Sequence, residues 1–119
     1  MLLPATNPFI EANNYAWGLV DTSRFEEAKC LLRKTVPVAR RIFGEDHRVT
    51  LKMRWVYAKA LYKVDDATLD DLREAVTTLE DIQRIARRVF GGAHPLTTDI
   101  GHDLRNARAA LEPAKRRRP

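Results

Sequence analysis

The segment Ala39-Arg40-Arg41-Ile42-Phe43-Gly44-Glu45-Asp46-His47-Arg48-Val49-Thr50 returns as Ala86-Arg87-Arg88-Val89-Phe90-Gly91-Gly92-Ala93-His94-Pro95-Leu96-Thr97, each pair 47 positions apart. Working outward, the same offset pairs Phe25 with Leu72, Glu27 with Glu74, Ala28 with Ala75 and Leu32 with Leu79. Further upstream the offset falls to 42, pairing Tyr15 with Tyr57, Ala16 with Ala58 and Leu19 with Leu61. The difference is one insertion of five residues, within residues 64–71. A unit of this length holds two helices, neither of which buries its apolar stripe alone, so successive units must stack.

The first helix of unit one is expected over Pro8 to Asp21, with Ala12, Tyr15, Ala16 and Leu19 inward at helical spacing. Thr22-Ser23 makes the turn, and Ser23 with Glu26 reads as a capping box for a second helix. That helix turns Phe25, Ala28, Leu31, Leu32 and Thr35 inward and stops at Gly44 in the left-handed conformation. Pro37 lies inside it, removes a backbone donor and is expected to kink it. In unit two the helices are expected from Val49 to Lys63 (Met53, Tyr57, Ala58 and Leu61 inward) and from Thr68 to Phe90. Leu72, Ala75, Leu79, Ile82 and Ile85 form the buried stripe of the second. A fifth helix, Leu96 to Glu112, buries Ile100, Leu104, Ala107 and Leu111 and is expected to end at Pro113. The fold expected is all-α, five helices in two and a half repeats.

Apolar residues are 45% and charged residues 31% of the chain, a globular and not a disordered balance. Of the net charge of +5, four charges come from Lys115, Arg116, Arg117 and Arg118, so the body is nearly neutral. A nucleic-acid-binding fold would spread cations over one face, which argues against that class. The basic run reads as a disordered tail, with a nuclear localisation signal as the other reading. A single cysteine, Cys30, excludes an internal disulfide and a cysteine-based zinc site. Met1-Leu2-Leu3-Pro4-Ala5 is too short for a secretory signal, and no apolar run is long enough to span a bilayer. The expected location is the cytoplasm.

Asn13-Asn14-Tyr15-Ala16, Phe25-Glu26-Glu27-Ala28 and Phe43-Gly44-Glu45-Asp46-His47 resemble the tetratricopeptide repeats of kinesin light chains. Those have an Asn-Asn-Leu-Ala helix, a Tyr-Glu-Glu-Ala helix and a Leu-Gly-x-Asp-His-Pro turn. Unit two matches at Ala58, Glu74-Ala75 and Gly91 to Pro95. The resemblance covers residues 10–111, leaving 1–9 as an extension and 112–119 as the tail. It implies an α-solenoid, a right-handed superhelix whose first helices line a concave groove that grips peptides or partner proteins. One subgroup clamps a terminal carboxylate with Lys and Asn on successive first helices. By position Asn14 and Lys52 match that clamp, but Val56 replaces an asparagine, and Asp99 and Asp103 replace basic residues. Two carboxylates there would repel an anionic ligand, so a full clamp is not expected.

No catalytic set, cofactor motif or metal site is legible. His47 and His94 are equivalent turn residues one unit apart, with no third or fourth ligand spaced to converge, so a structural role in the turn is expected. Asp65, Asp66, Asp70 and Asp71 lack the glycine and closing glutamate of a calcium loop and read as helix capping. Gly91-Gly92 is a helix stop, and no serine, cysteine or histidine set has the spacing for nucleophilic catalysis.

Trp17 and Trp55 lie on first helices, on the flank opposite the tyrosines. They serve either as groove aromatics for binding or as packing between neighbouring first helices. With Asn13, Asn14, Lys52, Lys59 and His102 they form the expected concave lining. The function expected is a protein–protein interaction module holding a peptide or partner protein, with no enzymatic role. The alternative is a self-assembling subunit that buries an apolar face of the fifth helix against another copy.

Overall fold

The computed structural model describes residues 7–117. Residues 1–6, most of the expected extension, and Arg118 and Pro119 of the basic tail lie outside the described residues. Five helices follow one another: α1 (Pro8–Asp21), α2 (Phe25–Phe43), α3 (Arg48–Tyr62), α4 (Leu69–Phe90) and α5 (Pro95–Arg116). No strand occurs among the described residues, and the all-α class holds.

Four of the five helices start where a side chain answers their free amide groups. Asn7 Oδ1 accepts from the Phe9 amide at 2.9 Å, with Pro8 opening α1. Thr68 caps α4 by accepting from the Asp71 amide at 3.0 Å, while Asp70 and Asp71 complement the helix dipole in the first turn. At α2 the expected capping box is absent. Ser23 instead takes a left-handed φ of 62°, and Arg24 is the N-cap without a side-chain hydrogen bond. The Ser23 amide donates to the Val20 carbonyl and the Arg24 amide to that of Leu19, closing the end of α1. Glu26 is drawn to Lys29 instead, at 2.6 Å.

Gly44 and Gly91 end α2 and α4 with φ of 93° and 99° and ψ of 168° and 156°. This is not the left-handed helical region expected but an extended mirror region open essentially to glycine alone. α2 continues as helix through Pro37, which lies exposed. α5 likewise continues through Pro113 to Arg116, so Lys115 and Arg116 form its last turn where a disordered tail was expected.

Each helix packs on the next, and α3 also packs on α1 and on α5. The backbones of α2 and α4 do not pack on each other, and the two helices are joined only at side-chain level, as where Lys29 reaches Asp71. Two cores result. Ala16, Leu19, Leu32, Met53 and Val56 belong to the first, and Leu51, Leu61, Leu79, Ile82 and Ile100 to the second. α3 serves both, with Met53, Val56 and Ala60 toward one and Leu51, Ala58 and Leu61 toward the other. A helix buried on two sides carries no single apolar stripe, which is why a one-sided reading of α3 was too narrow. Tyr15 is a correction: expected inward, it is 59% exposed, with no helix among the described residues packed over it.

Candidate functional site

α1 and α5 both pack on α3, which lies between them. Between α1 and α3 lies a concavity of about 290 Å³ lined by Asn13, Asn14, Trp17, Lys52, Trp55 and Val56. Five of the seven residues expected to line the groove are therefore brought together. Trp17 and Trp55 meet edge to face, centroids 5.3 Å apart, and each also packs against one of the two cores. The packing reading of these tryptophans holds, since they join neighbouring first helices, and both also line the concavity. Asn13 Oδ1 is buried without a hydrogen-bond partner, whereas Asn14 is exposed. Among the described residues Lys52 has no ion pair.

Lys59 and His102 are placed differently. Lys59 sits beside this lining, its ammonium 5.2 and 5.4 Å from the ring centroids of Trp17 and Trp55. It is held there by Asp103 of α5 at 3.1 Å. His102 is exposed and lies outside the concavity.

Asp103 was read as a repulsive groove charge. It is instead only 4% exposed and accepts from Trp55 Nε1 at 2.6 Å, from Lys59 and from the Tyr62 hydroxyl. Its charge is spent between α3 and α5 and does not project into the groove; Asp99 is exposed. Burial first, and then the hydrogen bond to Asp103, push the Tyr62 phenol far above its ordinary range. Only the tertiary fold brings these groups together, since Asp103 is 41 residues from Tyr62 and 48 from Trp55.

A second polar cluster escaped the sequence reading altogether. Lys29 is 5% exposed, 2.6 Å from Glu26 and 3.5 Å from Asp71. Burial pulls its pKa down, but the two carboxylates together outweigh burial and leave it above the ordinary value. Tyr57 donates to Glu74 at 2.8 Å and accepts from Arg33 at 3.2 Å. Arg54, 9% exposed, lies 2.9 Å from Asp81. Helical amphipathicity marks such residues as surface; an interhelical carboxylate is what allows them inside.

His47 and His94 are the N-caps of α3 and α5, each Nδ1 accepting from the amide two residues on, at 3.0 and 3.1 Å. Their rings lie over Phe43 and Phe90, centroids 4.6 and 4.8 Å apart. The structural reading of the turn histidines holds. No group of three or more His, Cys, Asp or Glu side chains among the described residues could hold a metal ion. No helix among the described residues is long and apolar enough to cross a membrane. In the basic run, Lys115 pairs with Glu112 at 3.2 Å, and Arg117 shares a surface hollow with Asp65 and Asp66.

Comparison of the chain with protein-family models, with curated proteins and with solved structures finds no match.

Proposed function

We propose that the chain is a tetratricopeptide-type repeat module that holds a peptide or an extended segment of a partner protein along the α1–α3–α5 face. The observation that carries the reading is the concavity between α1 and α3, where Asn13, Asn14, Trp17, Lys52 and Trp55 converge from two successive first helices. Further support comes from the order of packing, in which first helices pack on first helices while the backbones of α2 and α4 do not, and from the 47-residue period. Amides offer hydrogen bonds to an extended backbone, the tryptophans offer apolar contact, and Lys52 selects for a carboxylate.

Tryptophan emission tests the proposal directly. A ligand selected from an arrayed peptide library should shift the Trp17 and Trp55 emission. Asn14→Ala combined with Lys52→Ala should weaken it about tenfold, the loss of two peripheral contacts, with the circular dichroism unchanged. Selected peptides that bind the variant as tightly as the parent would sink the proposal.

Self-assembly through α5 draws less support. The apolar stripe of that helix is already buried on α3 and α4, and its outward face carries Thr98, Arg105, Arg108 and Glu112.

A further inference from the structure

A further groove lies between α4 and α5. Its nature follows from the equivalent groove one unit earlier, between α2 and α3, where Leu32, Arg33, Arg40 and Tyr57 line the walls and α4 closes the side. α4 docks there with carboxylates. Asp71 lies 3.5 Å from Lys29, Glu74 accepts from Tyr57 at 2.8 Å, and Asp81 lies 2.9 Å from Arg54.

Forty-seven residues on, Leu79, Glu80, Arg87 and Leu104 occupy the equivalent places. Glu80, Arg87 and Leu104, with Gln83, Arg84 and Arg108, line an open groove of about 390 Å³. No helix among the described residues covers it. Leu104 gives an apolar floor, and Gly101 stands where the first groove has Arg54.

The chemistry of the two grooves differs at one set of positions. Leu51, Ala58, Leu61 and Tyr62 of α3 are buried in the core that also holds the apolar stripe of α4. The equivalent residues of α5 are Thr98, Arg105, Arg108 and Ala109. A permanently packed helix needs the apolar set, and α5 has given it up for cations. Three guanidinium groups, those of Arg84, Arg87 and Arg108, line the groove with the single carboxylate of Glu80, and Arg105 stands exposed on α5 at its edge, near Gly101 and Gln83. Arg84 pairs with Asp81 and Arg108 with Glu80, and Asp81 is shared with Arg54. Among the described residues Arg87 and Arg105 have no ion pair, and the Arg105 guanidinium reaches back over Gly101.

We propose that the α4–α5 groove is a docking site for an acidic helix of a partner protein, laid in the place α4 takes over the first groove. Its carboxylates meet Arg87 and Arg105, on the pattern by which Asp71, Glu74 and Asp81 of α4 meet Lys29, Tyr57 and Arg54. Because charge replaces apolar burial, the association is reversible and salt-sensitive.

Fluorescence anisotropy with a defined probe tests this. The probe is a labelled peptide of the α4 sequence, Leu69–Phe90, with Arg73, Arg84, Arg87 and Arg88 replaced by Gln; its control also replaces the five carboxylates by amides. The acidic peptide should bind the intact protein and the amide peptide should not, and affinity should fall roughly tenfold between about 50 mM and 500 mM salt. Arg87→Glu with Arg105→Glu should abolish binding, Arg87→Gln with Arg105→Gln should weaken it, and Asn14→Ala with Lys52→Ala should leave it intact. The last variant separates this site from the α1–α3 concavity. Failure of the acidic peptide to bind, equal binding of the amide control, or indifference to charge reversal overturns the proposal. So does tighter, arginine-dependent binding of a single-stranded oligonucleotide, which would assign the groove to nucleic acid.

Discussion

The two junctions between successive first helices are built from opposite chemistries. Where α1 meets α3, Trp17 meets Trp55 edge to face beside Val56, which is fully buried. Where α3 meets α5, the residue equivalent to Val56 is Asp103, almost as deeply buried but bound to Trp55, Lys59 and Tyr62. The same backbone arrangement accepts either an apolar wedge or an ionic tie. What differs is the consequence of breaking them. Removing an apolar wedge leaves a cavity, whereas removing the carboxylate strands a buried ammonium and two donors without an acceptor.

The largest expected effect follows from that asymmetry. Asp103→Ala should lower unfolding stability in urea by about 3–5 kcal/mol, and Val56→Ala by roughly 1–3 kcal/mol. Replacing the pair together, Asp103→Leu with Lys59→Met, should recover most of the loss, since the stranded charge is gone. Equal costs for Asp103→Ala and Val56→Ala would break the comparison.

Tyr57 and Tyr15 sharpen it at the level of the units. They are equivalent residues, yet Tyr57 is half-buried and hydrogen-bonded to Arg33 and Glu74 while Tyr15 is exposed. Tyr57→Ala should cost about 2 kcal/mol and Tyr15→Ala within about 0.5 kcal/mol of zero. Thermal unfolding of the two variants side by side reads the difference.

Where the units are alike, the effects should be alike. His47→Ala and His94→Ala each remove a cap and a stacked ring, and each should cost about 1 kcal/mol. A loss confined to one histidine, in equilibrium denaturation, would show the two caps to be unequal.

The smallest effect at neutral pH, and the most specific to the ionic junction, concerns Tyr62. Its phenol is held above the ordinary 10.0 by burial and by Asp103, so the protonated form is favoured in the folded state. The stability it contributes is complete below the unfolded value and is lost as pH rises through and beyond it. Urea titrations from about pH 8 to pH 11.5 should show stability falling at the alkaline end. Tyr62→Phe should flatten that fall, leaving the smaller part due to Tyr57, whose phenol burial also raises. An unchanged slope in Tyr62→Phe would remove Tyr62 from the ionic tie.

Much of the architecture was legible along the chain. The stripes of α4 and α5 are buried as periodicity predicts, from Leu72 to Ile85 and from Ile100 to Leu111. Asn13, Asn14, Trp17, Lys52 and Trp55 were chosen together from their places on successive first helices, and they share one concavity. The misses have local causes. Ser23 fits a capping box in composition, but the chain needed it to close α1. Pro113 is a helix breaker by propensity, yet the packing of Leu111 and Ala114 carries the helix past it. Lys59 was expected in the groove lining because nothing near it in sequence reveals Asp103, 44 residues away.

By itself the sequence determined the helices, their order and the unit length, because apolar periodicity, caps and the glycines at 44 and 91 act over a few residues. Only the tertiary structure decided which polar groups are spent inside and which remain free. Desolvation and pairing act between helices that meet in space, and they turned Asp103 and Lys59 into an internal tie while leaving Lys52, Arg87 and Arg105 without an ion pair among the described residues.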